Sequence, residues 1–294
     1  MKNLLTIDVE DYYQVSAFEP YVPYGRWSEC ESRVMGNTCR ILELFDFYRV
    51  RATFFTLGWI AERHPSLVRL IVQQGHELAS HGYRHQRILN MTPGEFRQDV
   101  ERAKGILEDC AGQPVVGFRA PSFSIMPHTL WALDILEETG FQYDSSIFPI
   151  HHDLYGMPGA ARFPSIYRLS DGRQIIEVPP STVRWGQWNL PVAGGGYFRI
   201  FPYRYTQWGI RKINLQERQP AVFYLHPWEV DPGQPRLAGP IRSRLRHYTH
   251  LDHTENKLRR LLTDFQFGPV SAYIDGLKSG DGVPEEEMAH GRAG

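Results

Sequence analysis

Cysteine is scarce in this chain of 294 residues: Cys30, Cys39 and Cys110 are odd in number, widely spaced and form no C-x-x-C pair. That excludes a disulfide framework or a zinc knuckle as the basis of the fold and leaves reduced thiols with no catalytic part. Excess charge of either sign is missing too, since 32 Lys and Arg stand against 33 Asp and Glu. So balanced a chain has no general pull toward nucleic acid or anionic lipid. Its nearest basic stretch, Arg242 to Arg246 followed by Lys257 to Arg260, is short and interrupted and reads as a solvated helix face, so no nucleic-acid partner is expected. No apolar run approaches the roughly eighteen residues of a membrane span, and Asp8 interrupts the start before a signal-peptide core could form. The expected location is therefore cytoplasmic, without stable membrane insertion. Internal repeats are also lacking.

What is present is enough apolar material, 42% of residues with 13% aromatic, to fill one large core. Residues 3 to 7 read as a short buried strand, Gly36 to Arg49 as a helix, and Ala52 to Leu57 as a second strand. Ile60 to Val72 is helical in pattern and Glu77 to Ser80 extended. Thr92-Pro93-Gly94-Glu95 is a capping box with proline at the first helical position. Val115 to Phe118 is a strand, Thr129 to Glu138 a helix closed by Gly140, and Phe141 to Tyr143 a strand. Such alternation implies parallel strands with helical crossovers, in a barrel or a doubly wound sheet. No G-x-G-x-x-G follows the first strand, which disfavours the dinucleotide-binding version. From Phe148 to Gln219 the pattern loosens into insertions and loops, with a strand at Gln174 to Val178. Ala221 to Leu225 returns as a strand, Leu251 to Phe265 is a helix, and a short strand is expected near Val270. Residues 1 to 275 are expected to form one domain, and 276 to 294, poor in apolar residues from Ser279 on, a disordered tail.

Each strand is followed by an ionisable residue: Asp8, Glu10 and Asp11 after the first, then His81 and His85, Arg119, Asp144 and His226. In a parallel barrel those ends share one rim, where active sites are built. The i, i+4 spacing of His81 and His85 puts both imidazoles on one face if Gly82 to Arg84 form a helical turn, and a carboxylate from Asp8-Val9-Glu10-Asp11 can complete a His-His-carboxylate site of catalytic type. Alternation along a strand favours Glu10 as that ligand, residue type favours Asp11, and both stay open.

Gly75-His76-Glu77-Leu78-Ala79-Ser80-His81-Gly82-Tyr83-Arg84-His85 resembles the H-S/T-x-x-H metal motif of the NodB-type polysaccharide deacetylases. Thr6-Ile7-Asp8-Val9-Glu10-Asp11 resembles that family's first motif, Ala52 to Gly58 its second strand, and Phe118-Arg119-Ala120-Pro121-Ser122 its R-x-P motif. Tyr143-Asp144-Ser145-Ser146 and Phe223-Tyr224-Leu225-His226-Pro227 resemble the fourth and fifth motifs, so the likeness runs in family order over residues 3 to 230. Ala193-Gly194-Gly195-Gly196-Tyr197-Phe198 and His226-Pro227-Trp228-Glu229 look like the subfamily of exosortase and exopolysaccharide loci, whose own part would cover about 150 to 275. The resemblance implies a distorted (β/α) barrel with loop insertions and a C-terminal helical extension. It also implies metal-dependent removal of acetyl from an N-acetylated glycan.

An amide is a poor electrophile, and one divalent metal, Zn2+ by preference, answers by polarising the carbonyl and acidifying water. The resemblance makes Asp8 the base, Arg119 its orienting partner and His226 the acid, with Asp144 paired to His226. Pro121, Tyr197, Trp228 and Glu229 are the expected substrate contacts, and the third motif leaves open a backbone N–H for the oxyanion. Trp185, Trp188 and Phe198 suit sugar stacking or core packing, and Gly194 to Gly196 suit close ligand approach or a flexible turn. His247, His250 and His253 recur every three residues without sharing a face, and no second metal is expected. The rival readings are hydrolysis of another C–N bond in a small amide and a non-catalytic carbohydrate-binding relative.

Overall fold

The first strand, β1 (Lys2–Val9), is buried from Asn3 onward. A strand covered on both faces sorts its side chains by alternation. Leu5, Ile7 and Val9 join an outer core with Ile41, Leu42 and Phe45, so Thr6, Asp8 and Glu10 turn to the other side. This computed structural model describes residues 1–278 and 285–286.

Along the chain β1 is followed by α1 (Val34–Phe47), β2 (Thr53–Thr56), α2 (Gly58–Arg63), α3 (Pro65–Gln73), β3 (Glu77–Ser80), α4 (Pro93–Ala111), β4 (Gly117–Phe118), α5 (Trp131–Glu138) and β5 (Tyr143–Asp144). Then come β6 (Ser165–Arg168), β7 (Gln174–Glu177), β8 (Thr182–Trp185), β9 (Trp188–Pro191), α6 (Gly195–Ile200), α7 (Tyr203–Lys212) and β10 (Val222–Leu225). The last are α8 (Ile241–Tyr248), α9 (Leu251–Asp264), β11 (Gln266–Gly268), α10 (Val270–Lys278) and β12 (Glu285–Glu286). The sheet runs β10-β1-β2-β3-β4-β5-β7-β6-β12, parallel from β10 to β7, with β11 beside the start of β1 and β8-β9 a separate hairpin.

This is the α/β architecture expected, consistent with a distorted barrel. Among the described residues β7 and β10 form no ladder, and the chain after β7 spans the seam instead. Ser181 N–H donates to Val222 O at 3.2 Å, Val222 N–H to Ser181 Oγ at 2.7 Å, and Tyr224 N–H to Ala193 O at 2.7 Å. Inside, Leu4, Phe55, Ala79, Tyr143, Val178 and Val222 cluster with Val270 and Ile274 of α10. Val270 N–H donates to Thr53 Oγ1 and Ser271 N–H to Glu77 Oε2. The last helix thus covers the N-terminal ends of the strands and leaves their C-terminal ends for the site.

Local chemistry explains the departures from expectation. The single helix over Ile60 to Val72 is two, α2 and α3, broken at His64 because Pro65 supplies no N–H and is favoured at a helix start. The strand near Val270 lies earlier, as β11, and Val270 opens α10. The stretch called loops holds two hairpins and two helices. The capping box forms, with Thr92 N–H donating to Glu95 Oε2 at 2.8 Å and Glu95 N–H to Thr92 Oγ1 at 3.3 Å. In the segment expected to be a tail, residues 276–278 belong to α10 and β12 pairs with β6; the rest of that expectation lies outside the described residues.

Candidate active site

Asp8 and Glu10 stand on one face at the end of β1, both buried. His81 follows β3 directly, its N–H donating to Thr56 O at 3.0 Å. The chain from His81 to His85 is not the helical turn that the spacing suggests, since Gly82 takes φ +73° and His85 φ +52°. Gly58 and Trp59 N–H donate to Gly82 O and Tyr83 O, and Tyr83 N–H to Asp99 Oδ2, which pins the turn. A side chain at position 82 would need that left-handed backbone and would meet Asp99 Oδ2 at 3.0 Å, so glycine is required. The two imidazole centroids end 5.3 Å apart.

One ligand atom from each of Glu10, His81 and His85 lies within 4.8 Å of the others. His85 Nε2 is 2.8 Å from Glu10 Oε2. His81 Nδ1 is 2.7 Å from Arg119 O and donates to it, which turns Nε2 outward as a ligand atom. Burial lowers the His81 pKa to about 4, against the charges of Asp8 and Glu10, so the ring is neutral as a ligand must be. Burial would raise Glu10, but His85, His226 and His81 together hold it well below the usual carboxylate range. Glu10 Oε2 has His85 Nε2 beside it but no well-directed hydrogen bond, and His85 Nδ1 is buried without a partner among the described residues. Unpaired buried polar atoms are costly, and this donor set fits one divalent cation.

Asp11, the alternative ligand, faces elsewhere. Its Oδ2 accepts from Ser32 Oγ (2.8 Å), Arg33 N–H (2.8 Å) and Val34 N–H (3.2 Å) at the start of α1. Burial pushes its carboxyl up to about 6 despite these donors. It holds a helix end, because alternation past Val9 sends it to the side opposite Glu10.

Two buried ion pairs flank the cluster. Arg119 Nη1 donates to Asp8 Oδ1 at 2.7 Å and to Thr6 Oγ1 at 2.8 Å, while Nε and Nη2 bind Ser145 O and Oγ, so the guanidinium is fixed on every side. Across the gap, His226 Nε2 stands 3.8 Å from Asp8 Oδ2 and 3.7 Å from Glu10 Oε1. Its Nδ1 is 2.7 Å from Glu229 Oε1, and Glu229 Oε2 accepts from Arg199 Nε at 2.5 Å. Burial alone would lower His226, but the bond to Glu229 and the charges of Glu10, Glu229 and Asp8 raise it to about 9. The ring stacks on Trp228, whose Nε1–H donates to Glu10 Oε1 at 3.1 Å. Trp228 in turn stacks on His247, which is buried and bonded through Nε2 to Gln234 Oε1. His247 is therefore structural, and among the described residues no second metal cluster forms.

Asp144 does not pair with His226. Its Oδ1 accepts from Ser146 Oγ at 2.5 Å and it lies beside Glu177 on β7, its register partner. Burial raises both carboxyls, Glu177 well above its ordinary value with the Asp144 charge adding to the effect. Ser146 Oγ also accepts from Ala120 N–H at 2.7 Å, which engages one of the third motif's backbone donors, while Ser122 lines the cavity. Glu229, expected as a pocket wall, is fully buried behind His226, in the place expected for Asp144. Sequence reading missed Arg199; the i, i+3 spacing of His226 and Glu229 across Pro227 was the available signal for the acid.

A cavity of about 420 Å³ opens over these groups, walled by Ala17, Pro20, Phe123, Leu154, Tyr155 and Trp228. Pro121 lies under the Gly82 turn and Tyr197 is half-buried beside Phe123, Phe148 and Tyr224. Trp185 and Trp188 are exposed on the β8-β9 hairpin, and Phe198 is core against Phe223. The glycine run serves the fold: a Cβ on Gly194, at φ +126°, would sit 1.9 Å from Tyr224 O. It approaches a strand rather than a ligand.

Residues 31–143 match the polysaccharide deacetylase family, and residues 145–275 a domain of unknown function (DUF3473). The chain is 31% identical over 115 residues to a peptidoglycan deacetylase of Helicobacter pylori, a match covering 39% of this chain and 38% of that protein. It is 33% identical over 98 residues to a peptidoglycan-N-acetylglucosamine deacetylase of Bacillus cereus (33% and 36%) and 29% over 96 residues to a chitooligosaccharide deacetylase of Bradyrhizobium (33% and 42%). The chain thus spans less than half the length of these relatives. Among solved structures, a "putative polysaccharide deacetylase from Mycobacterium smegmatis" superposes with a TM-score of 0.64 at 20% identity, covering 97% of this chain and 93% of that one. Puue allantoinase follows at 0.59 and 16%, covering 97% and 86%. At such identities these two likenesses concern the fold alone.

Proposed function

We propose that this chain, whose place in the polysaccharide deacetylase family is supported by the match over residues 31–143 and by its relatives, hydrolyses the acetamide of N-acetylhexosamine units in a glycan. Residues 1 to 275 act as one catalytic domain, with a divalent cation, zinc by preference, held by Glu10, His81 and His85. The observation that carries the reading is the juxtaposition of this cluster with Asp8 on Arg119 and His226 on Glu229.

When bound, the cation supplies Lewis acidity toward the carbonyl and toward water. Asp8, oriented through Oδ1 by Arg119, takes the proton of the attacking water at Oδ2. His226 faces the same space through Nε2 and gives a proton to the departing nitrogen, its ring held by Glu229 and Trp228. Arg199 fixes Glu229 and so acts through it. The apolar and aromatic wall suits the C–H faces of a sugar ring. The resemblance to exopolysaccharide-locus proteins supports an exopolysaccharide or its precursor as the glycan and a cytoplasmic step before export.

The test is acetate release from N-acetylglucosamine oligomers by metal-reconstituted protein, with chelated protein and His81→Ala as controls. Metal-dependent acetate is expected. Absence of acetate from protein that holds its metal overturns the substrate assignment in favour of another C–N bond.

A further inference from the structure

The mouth of the cavity carries charge that the hydrolytic steps do not use. Arg87, Arg242 and Arg246 all line it, while Asp153 is the acid beside them. Arg242 and Arg246 are one turn apart on α8 and so share a face. Neither has a carboxylate within 4.0 Å among the described residues, and Asp153 itself lies 3.0 Å from His152 Nδ1. Arg87 Nε is buried with no hydrogen-bond partner. The other lining charges are matched: Arg199 by Glu229, Asp8 by Arg119, and Glu10 by the His226 imidazolium 3.7 Å away. Three arginines less one aspartate leave two positive charges facing the opening. The Arg246 charge also opposes the burial that raises Tyr155 and Tyr197, which puts it against the cavity wall.

A neutral glycan offers these guanidiniums hydroxyl acceptors but no charge to balance theirs. Their planar donor forks match phosphoryl oxygens in pairs, and a surplus of two charges suits a dianion better than a single carboxylate. The volume of about 420 Å³ lies within the range of ordinary ligand sites, roughly 300 to 1,000 Å³, with room beyond one sugar ring. We propose that the cavity takes an N-acetylhexosamine esterified to phosphate or diphosphate, its phosphoryl oxygens held by Arg242, Arg246 and Arg87 while the acetamide reaches Glu10, His81 and His85. The inference rests on the deacetylase reading above. The phosphoryl group can come from a soluble sugar phosphate or from a lipid carrier, and Ile241 and Leu245, exposed on the adjacent face of α8, lie where a carrier chain would leave.

Calorimetry on the metal-loaded full chain compares N-acetylglucosamine 1-phosphate with di-N-acetylchitobiose. The phosphorylated ligand is expected to bind at least about tenfold more tightly, with the ratio falling as KCl rises and collapsing toward one in Arg242→Gln/Arg246→Gln. A ratio near one in the unaltered protein, or one that survives the double substitution in protein of unchanged circular dichroism and metal content, overturns the inference. If the double variant does not fold, the single variants and the salt dependence of the unaltered chain read the same quantity. Acetate from neutral oligomers is measured in parallel. Release without phosphoryl preference ends this inference and spares the deacetylase reading; preference without acetate from either ligand ends that reading and keeps the anion site. A polyprenyl diphosphate-linked N-acetylglucosamine in detergent micelles separates the sources. A further gain there, removed by Ile241→Ser/Leu245→Ser, assigns the lipid carrier, and an equal gain assigns the soluble ester.

Discussion

Residues 2–144 and the chain beyond them supply the same pocket by different means. In the first region Asp8 and Glu10 from β1, His81 after β3 and Arg119 after β4 leave the C-terminal ends of parallel strands, with His85 carried farther on the Gly82 turn. Strand spacing sets where these side chains stand, and a residue or two of tether is enough. Beyond, β10 delivers His226 in the same manner, but its support is Arg199 from α6, and the rim comes from α8, neither of which lies in the sheet. The first region is placed by a repeating pattern and the second by packing of irregular pieces. The proposed metal ligands and base can therefore be held stiffly while the parts that meet the rest of a ligand vary.

The strongest way to break this contrast is to remove the cluster from the first region. Glu10→Ala is expected to lose stoichiometric metal and at least about 10³-fold of turnover, read by metal analysis and acetate release. Metal retained in that variant would take the centre out of β1. The second region answers with a smaller effect: Glu229→Gln keeps the metal and KM but lowers kcat about 10- to 100-fold, because the His226 ring loses its anionic anchor. Equal loss of metal would show that the acid and the cluster are not separable.

Within β1 the contrast sharpens further. Asp11→Ala leaves metal content unchanged and costs about 1 kcal/mol of stability in urea unfolding, since three donors at the start of α1 lose their acceptor. The smallest effect is expected at Glu177. Burial and Asp144 raise its pKa well above 4.5, so the folded chain holds a proton that the unfolded chain gives up, and stability falls as pH rises from 4.5 through the folded value. Glu177→Gln cannot ionise and can still accept from Ile147 N–H, so thermal melts at pH 8 should show a gain in stability that shrinks toward pH 5. An unchanged difference across that range would separate the carboxyl from the effect.

The same contrast governs what was legible in the sequence. Alternation along β1 pointed to Glu10, the order of motifs brought Asp8, His81, His85, Arg119 and His226 together, and Thr92 with Glu95 marked a helix start. These signals are local, a period or a spacing tied to one strand end. The i, i+4 spacing brings His81 and His85 together only on the condition of a helical turn, and the glycine between them instead takes a left-handed bend. Asp144 was misassigned because its Asp-Ser-Ser string has two uses, and the local one, accepting from Ser146, prevails. Arg199 was invisible: what joins it to Glu229 is the seating of α6 on β10, which depends on Gly194 meeting Tyr224 O and has no periodic trace.

The seam has a consequence in time as well as in space. β1 has β2 on one side from the start, but its other neighbour, β10, arrives only with Val222, joined at Ala221 N–H to Asn3 Oδ1 across a separation of 218 residues. A chain emerging from the ribosome has made the ligands, the base and its arginine long before it makes the acid, and throughout that interval one edge of β1 lies open. On the proposed reading, the nascent protein has its candidate cation ligands before its proton donor. Pairing β10 with β1 and bringing His226 to the pocket are then one event, and the pairing of β11 with the start of β1 and the seating of α10 come only after it.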